Sequence, residues 1–258
     1  MSRRRGPVVL LTDFGTRDWF VGVMKGVIKK QCQDADIIDI CHEVDRQDVQ
    51  QAEFVLRASR QWFPAGTIFL AIVDPGVGTD RDPVVIVDDA HDHFYVGPNN
   101  GLFGFLSGER TQASILRLPH NVGQEVSATF HGRDIFAVAA GRLAAGTDIE
   151  ELSSGTTTIL RLPGTSSNVD RGEIQYFDRF GNAITTIERA SAPVDCVYID
   201  GIEHAIRLVR TYADVPEGEA LAYWGSAGLL EIGIRNGSAR DVLALELKRH
   251  VRLNKTDD

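Results

Sequence analysis

Thr67-Ile68-Phe69-Leu70-Ala71-Ile72-Val73-Asp74-Pro75-Gly76-Val77-Gly78-Thr79-Asp80-Arg81 is the stretch on which the fold turns. Ile68 to Val73 is an unbroken apolar run of strand length. It lacks the polar alternation of a half-exposed strand, so it suits a strand covered on both faces by helices. The run stops at Asp74-Pro75-Gly76-Val77-Gly78. Pro75 has no N–H for a ladder, and the two glycines permit backbone angles that other residues avoid. Asp74 is therefore expected at the carboxyl end of a central strand, where open α/β sheets bind ligands. Arg81 comes seven positions later, at a distance that lets it fold back over the same loop. The same letters also suit a loop acid capping its own turn beside a surface arginine. The stretch alone leaves both open.

Outward from this strand the pattern repeats. Pro7 to Leu11 is a short apolar run ending in Thr12-Asp13-Phe14-Gly15. A helix is expected over roughly Trp19 to Gln31, capped by Thr16 or Asp18. Ala35 to Ile40 predicts a strand and Asp48 to Trp62 a helix. Pro83 to Val87 and His93 to Val96 predict strands. Gly97-Pro98-Asn99-Asn100-Gly101 is a dense turn signal. His131-Gly132-Arg133-Asp134 precedes a helix from about Ile135. Strands alternating with helices predict a mostly parallel sheet flanked by helices.

After Gly146 the pattern changes. Residues 161–170, holding Pro163, Gly164, Ser166, Ser167 and Asn168, are expected to link a first domain (1–160) to a second (171–258). In the second, short apolar segments occur at close spacing: Glu173 to Phe177, Ala183 to Ile187, Cys196 to Ile199, Ala205 to Val209, Ala220 to Tyr223, Leu230 to Ile234 and Asp241 to Lys248. They predict a smaller all-β, barrel-like domain.

Composition narrows the function. The chain has 258 residues, 43% hydrophobic and 24% charged, which is ordinary for a globular protein. Its net charge of −9 argues against nucleic acid as a partner. Three scattered cysteines, Cys32, Cys41 and Cys196, form neither a C-x-x-C pair nor a disulfide framework. No signal peptide and no membrane-spanning run is legible, so a cytoplasmic location is expected. The nucleotide-loop, zinc-protease and nucleophile-elbow patterns are absent. His91-Asp92-His93 reads as a solvated turn.

Five segments in order carry a stronger signal: Val9-Leu10-Leu11-Thr12-Asp13-Phe14-Gly15, Val73-Asp74-Pro75-Gly76-Val77-Gly78, Gly97-Pro98-Asn99-Asn100-Gly101, Phe130-His131-Gly132-Arg133-Asp134-Ile135-Phe136 and Asp178-Arg179-Phe180-Gly181-Asn182. Together they resemble the S-adenosyl-L-methionine hydroxide adenosyltransferase family, the water-using relatives of the fluorinase and chlorinase. The resemblance spans nearly the whole chain. It implies an α/β domain followed by a β-barrel, a homotrimer with active sites at subunit interfaces, and cleavage of S-adenosylmethionine into adenosine and L-methionine without a cofactor or metal.

Carried over by position, the resemblance implies a catalytic set of Asp74, Arg81 and His131. It implies Asp13 as the ribose-binding acid and Asp178 as the acid for the methionine amine. Phe180 and Asn182 join that pocket, and Ser226 helps hold the methionine carboxylate. The halogenating relatives lack an acid at position 74, so water rather than halide is the expected nucleophile. Ala227 and Arg235 depart from the pattern near the carboxylate contacts. Trp19, Phe20, Phe103, Phe180 and Trp224 are candidates for stacking on adenine or the sulfonium. Two rivals stand beside this reading. One is a metal-dependent hydrolase built on Asp13, Asp74, His131 and Asp134, and the other is a non-catalytic S-adenosylmethionine sensor.

Overall fold

A computed structural model describes residues 6–106, 108, 110–117, 126–162, 170–189 and 194–255. The chain divides into two compact units, residues 1–163 and 164–258. The expected linker falls largely on residues 163–169, which lie outside the described residues.

In chain order the first unit holds β1 (Val8–Thr12), α1 (Phe20–Gln31), β2 (Ile37–Cys41), α2 (Val49–Ser59), β3 (Ile68–Ile72), β4 (Pro83–Asp88), β5 (His93–Pro98), β6 (Thr111–Leu116), α3 (Ala137–Ala144), α4 (Ile149–Leu152) and β7 (Ser153–Thr156). The strands form one sheet in the order β2-β1-β3-β5-β4-β6-β7. Strand β1 pairs in parallel with β2 and β3, and β3 with β5. Strand β4 runs against β5 and β6, and β7 against β6. So β2, β1, β3, β5 and β6 share one direction, and β4 and β7 oppose it.

The apolar run at β3 feeds both faces of this sheet, as a period of two requires. Ile68, Leu70 and Ile72 enter one core with Met24 and Ile28 of α1 and Ala140 and Leu143 of α3. Phe69, Ala71 and Val73 enter the other with Ala52 and Leu56 of α2. Each large apolar side chain contributes about 1.5–3 kcal/mol when fully buried. A polar residue would be penalised on either face, which is why the run is continuous.

The order β2-β1-β3 also marks a candidate site. The chain leaves β1 for one neighbour and returns to pair β3 on the other side. Helices α1 and α2 accordingly lie on opposite faces. The crevice at such a reversal, beyond the carboxyl ends of the strands, is where doubly wound sheets bind ligands. Thr12 pairs with Ile72, so the loops carrying Asp13 and Asp74 leave the sheet side by side.

The second unit holds β8 (Arg171–Phe177), β9 (Ala183–Glu188), β10 (Val194–Ile199), β11 (Ile206–Arg207), β12 (Ala220–Trp224), β13 (Leu229–Ile234), α5 (Ala239–Val242) and β14 (His250–Lys255). Its strand order is β11-β10-β14-β8-β9-β13-β12, and every pair is antiparallel. The two end strands approach each other: Val209 N–H donates to Ala222 C=O at 2.8 Å just past β11. The sheet is thus nearly closed around Ile174, Val197, Leu230, Ile232 and Val251.

Two local expectations are corrected. Asp241 to Lys248 is not a strand. Ser238 Oγ accepts the Asp241 N–H at 3.2 Å and starts the short helix α5. Ala244 and Lys248 then take left-handed angles (φ 48° and 66°) that no strand admits. The strand here is β14, further on. Neither Thr16 nor Asp18 caps α1, whose N-cap is Trp19 with no side-chain bond. Thr16 is committed elsewhere, its N–H and Oγ both donating to Glu43 Oε1. Strands β6 and β7 have no counterpart in the sequence reading.

Candidate active site

Asp74 stands two residues past β3, in a loop that the sequence forces to double back. Gly78 has φ +80°, and a Cβ there would lie 2.6 Å from the Ala128 carbonyl oxygen. Thr79 Oγ donates to the Gly76 carbonyl at 2.7 Å and tightens the turn. Arg81 is thereby returned onto Asp74. Its Nε lies 3.0 and 3.1 Å from the two carboxylate oxygens, and its Nη2 donates to Oδ2. The side chains are 10% and 6% exposed. The guanidinium also sits 5.1 Å over the Phe136 ring. Asn100, from the turn after β5, donates Nδ2 to the Val73 carbonyl at 2.8 Å and fixes where β3 ends.

His131 joins this pair through Arg81. It precedes a π-helical turn, Gly132–Phe136, in which Ala137 N–H reaches back to Gly132 C=O before α3 begins. Such turns are rare and cluster at functional sites. His131 Nδ1 lies 3.0 Å from Arg81 Nη2. An arginine has only donors, so Nδ1 is the acceptor and the neutral ring carries its proton on Nε2. Burial holds the imidazole below its ordinary value, and the Arg81 charge adds to this. Together they outweigh the opposite pull of Asp74 and Asp134.

Asp134 is engaged elsewhere. Arg133 donates to it from Nε at 2.6 Å and from Nη2 at 2.8 Å, and Ser127 N–H donates at 2.9 Å. The bond to Arg133 holds its carboxyl low, against a smaller effect of burial. No group of three or more His, Cys, Asp or Glu among the described residues is arranged to hold a metal. The set Asp13, Asp74, His131 and Asp134 thus does not converge as the metal-hydrolase rival requires.

Asp13 leaves β1 at the same sheet edge. Its Oδ2 accepts the Gln47 N–H at 2.9 Å. Beneath it runs a relay that the sequence reading missed. Thr12 Oγ lies 2.8 Å from His42 Nδ1 and accepts the Phe14 N–H at 3.2 Å, while Gly15 N–H donates to the His42 carbonyl. His42 is buried, and its Nε2 lies 3.1 Å from Asp39 Oδ1, at ion-pair distance but out of line for a hydrogen bond. Lys25 donates to the other Asp39 oxygen at 2.6 Å. Burial alone would raise the Asp39 carboxyl, but its interactions with Lys25 and His42 hold it low. Phe14, Phe20 and Phe130 meet edge to face beside these loops. Of the stacking candidates, Phe103 is fully buried and belongs to the core, whereas Trp19 is 70% exposed.

In the second unit Asp178 holds its own turn. Its Oδ1 accepts the N–H groups of Phe180 (2.9 Å) and Asn182 (2.8 Å), and its Oδ2 accepts Asn182 Nδ2 (2.8 Å). Gly181 has φ +81°, and a Cβ there would collide with Ser238 Oγ. The turn presents Phe180 to solvent, 76% exposed, and buries Asn182. Ser226 lies exposed at the tip of the β12–β13 hairpin, closed by the Gly228 N–H bond to Gly225 C=O. Arg235, which departs from the family pattern, donates to the Val215 carbonyl at 2.7 Å and ties down a loop.

Asp74, Arg81 and His131 are therefore in direct contact. Asp13 emerges beside them from the neighbouring strand, and Asp178, Phe180 and Asn182 share one turn. A fixed guanidinium, a buried carboxylate and a neutral imidazole in contact can orient and deprotonate a small polar nucleophile.

Comparison with known proteins bears on this arrangement. Residues 8–153 match the SAM hydroxide adenosyltransferase N-terminal domain, and residues 172–252 match the C-terminal domain of the same name. An (R)-S-adenosyl-L-methionine hydrolase of Thermus thermophilus is 40% identical over 96% of this chain and 99% of its own. A fluorinase of Actinopolyspora mzabensis is 26% identical over 92% of this chain and 93% of its own. The crystal structure of an uncharacterized conserved protein from Thermotoga maritima superposes with a TM-score of 0.86. It is 32% identical and covers 96% of this chain and 100% of that one.

Proposed function

The chain belongs to the SAM hydroxide adenosyltransferase family, and from that premise we propose that it hydrolyses S-adenosyl-L-methionine to adenosine and L-methionine. The observation that carries the reading is the partly buried contact set Asp74–Arg81–His131 at the switch point of the sheet.

The carbon attacked is the ribose 5′ methylene, a primary centre bonded to a sulfonium. Water approaches in line, the O–C5′ bond forms, and the C5′–S pair leaves with neutral methionine. Water alone is a poor nucleophile, since its pKa of about 15.7 puts hydroxide out of reach at neutral pH. Three residues answer this. Arg81 supplies a fixed positive charge beside the forming hydroxide. His131, with Nδ1 occupied by Arg81, offers its Nε2–H to orient the oxygen. Asp74 takes the proton, because each carboxylate oxygen keeps lone-pair capacity beyond its arginine bonds. Base assistance of this kind contributes roughly 10²–10⁴ in rate. Holding water and carbon at contact distance supplies a further share.

Positive charge at sulfur disappears in the transition state, so an anion against sulfur would favour the ground state and slow the reaction. The acids accordingly take peripheral roles: Asp13 accepts the ribose hydroxyls, and Asp178, with Phe180 and Asn182, receives the methionine amine. Ser226 is assigned to the carboxylate. The reaction so written uses no cofactor and no metal. We assign the active assembly to a homotrimer with sites at subunit interfaces and the protein to the cytoplasm. The second assignment is supported by three unpaired cysteines and by the lack, among the described residues, of any helix long and apolar enough to cross a membrane.

The test is incubation of metal-stripped protein with S-adenosylmethionine and chromatography of the products. Equal adenosine and methionine, indifferent to chelator and to chloride, is the expected result. Bound nucleoside without turnover would mean a sensor instead.

A further inference from the structure

Gln47 takes a left-handed backbone angle, φ 64°, which residues other than glycine seldom adopt. Such an angle persists where its surroundings over-determine it, and it collects at functional sites. The surroundings of Gln47 do so from both sides. In α2, Gln51 N–H donates to Asp48 Oδ1 at 2.8 Å, its Oε1 accepts the Asp45 N–H, and its Nε2 donates to Asp45 Oδ2 at 3.3 Å. The Asp48 N–H closes the turn onto the Asp45 carbonyl at 3.0 Å. At the other end of the loop, Glu43 Oε1 accepts the Thr16 N–H and Oγ at 3.1 and 3.2 Å. The neighbouring His42 carbonyl accepts the Gly15 N–H at 2.7 Å. The loop from Glu43 to Asp48 is thus fastened to the Asp13–Thr16 loop at one end and to α2 at the other. Between these ends the Gln47 N–H donates to Asp13 Oδ2 at 2.9 Å.

That bond falls on the acid assigned to the ribose. A carboxylate turns broadly about its last torsion, so an acid alone on a loop meets a diol in many orientations. One N–H on Oδ2 sets the plane of the group and uses one of about four acceptor positions. The rest serve two adjacent hydroxyls. The donor is main chain and the residue is exposed, so its side chain matters through the backbone angle it tolerates. We propose that Gln47 is a positioning residue for the nucleoside. Its main-chain N–H, presented by a left-handed turn, fixes the Asp13 carboxylate for the ribose hydroxyls and so sets the preference for a ribose over a sugar without them. Bonds from an N–H to an ionised carboxylate are among the stronger hydrogen bonds, which suits this one to the task.

This proposal rests on the assignment of Asp13 to the ribose. It is tested by calorimetry with adenosine and with 2′,3′-dideoxyadenosine, which lacks both hydroxyls. The wild-type protein is expected to bind adenosine more tightly than the dideoxy compound. Gln47→Val puts a β-branched residue where φ is positive and should withdraw the N–H. Adenosine is then expected to bind roughly tenfold more weakly, as for loss of one hydrogen bond to a charged group. Affinity for the dideoxynucleoside should change by no more than about twofold, since the partner of Asp13 is already missing. Gln47→Gly keeps the N–H and adopts the angle freely, so it should bind adenosine as the wild type does. Should Gln47→Val fail to fold, Gln51→Ala loosens the same loop from α2 without touching Asp13 and should give the same discrimination, roughly threefold. Equal weakening of both nucleosides, or a Gln47→Gly protein as weak as Gln47→Val, would overturn the proposal, because the loop would then act otherwise than through Asp13 and its N–H. Unchanged adenosine affinity in Gln47→Val would overturn it as well. Equal affinity of the wild type for the two nucleosides is a different result: it takes Asp13 away from the ribose, and the proposal goes with it.

Discussion

Arg81 Nη2 and His131 Nδ1 stand 3.0 Å apart, two groups that repel whenever the imidazole is charged. Burial and, after it, this contact keep the ring neutral, and the contact fixes its tautomer, with the free N–H on Nε2. It also divides the work of the site. A histidine committed in this way orients a nucleophile better than it deprotonates one, which is why the base is proposed to be Asp74.

The first expectation concerns pH. His131 titrates below its ordinary value of 6.5, chiefly through burial and next through Arg81. Its neutral form is the folded form, so the unfolded chain binds the proton first. Stability and activity are therefore intact above 6.5 and fall as pH drops from there through the lower folded value. NMR titration of the His131 ring is expected to give a midpoint below 6.5. In Arg81→Gln it should move upward but only part of the way, because burial remains. A midpoint at or above 6.5 in the wild type would contradict the contact.

Asp74→Asn is expected to lower kcat by about 10²–10⁴, the worth of a general base. Binding of S-adenosylmethionine, read by calorimetry, should change little. Asp74→Ala should lose turnover as well, but it strands Arg81 without its anion. Breaking a buried pair in that way costs about 3–5 kcal/mol, so its melting temperature must be measured beside its rate. Turnover that survives in the Asn variant would remove Asp74 as the base.

Much of this was legible from Ile68 to Val73. An unbroken apolar run has few places to go but the middle of a covered sheet, and the proline and glycines at its end must turn the chain. Asp74, Arg81 and His131 were legible as residue types in glycine-rich loops, and the family resemblance ordered them. Contacts between distant positions were not. Nothing local marks Phe136 as the ring beneath Arg81, Asn100 as the clasp on Val73, or His42 as the prop of the Asp13 loop. Asp241 to Lys248 misled because its leucines and valine suit a strand, while the Ser238 cap and two left-handed residues decide otherwise.

Glycines offer a paired test of the loop geometry. Gly78→Ala places a Cβ 2.6 Å from the Ala128 carbonyl at a positive φ, so backbone must move. A loss of about 1–3 kcal/mol is expected, together with reduced kcat, because the same turn returns Arg81 to Asp74. Gly26→Ala, in α1, meets nothing within 4 Å. It should gain about 0.5–1 kcal/mol from helix propensity alone. Thermal melts of both variants decide the point: a Gly78→Ala protein as stable and active as wild type would mean the loop has slack.

His42→Ala tests the support beneath Asp13. The imidazole ties Thr12 to Asp39, and Thr12 Oγ holds the Phe14 N–H, so residues 12 to 14 are fixed on either side of the Asp13 side chain. Removing the ring leaves the Thr12 hydroxyl short of a buried partner, at a cost of about 1–3 kcal/mol. It also frees the loop to take other angles. If Asp13 receives the ribose, adenosine and S-adenosylmethionine should weaken together, by roughly tenfold for each 1.4 kcal/mol of orientation lost. Calorimetry with both ligands on His42→Ala is the measurement. Weakening confined to S-adenosylmethionine would move Asp13 away from the ribose, and unchanged affinity for both would show that the loop holds its shape without His42.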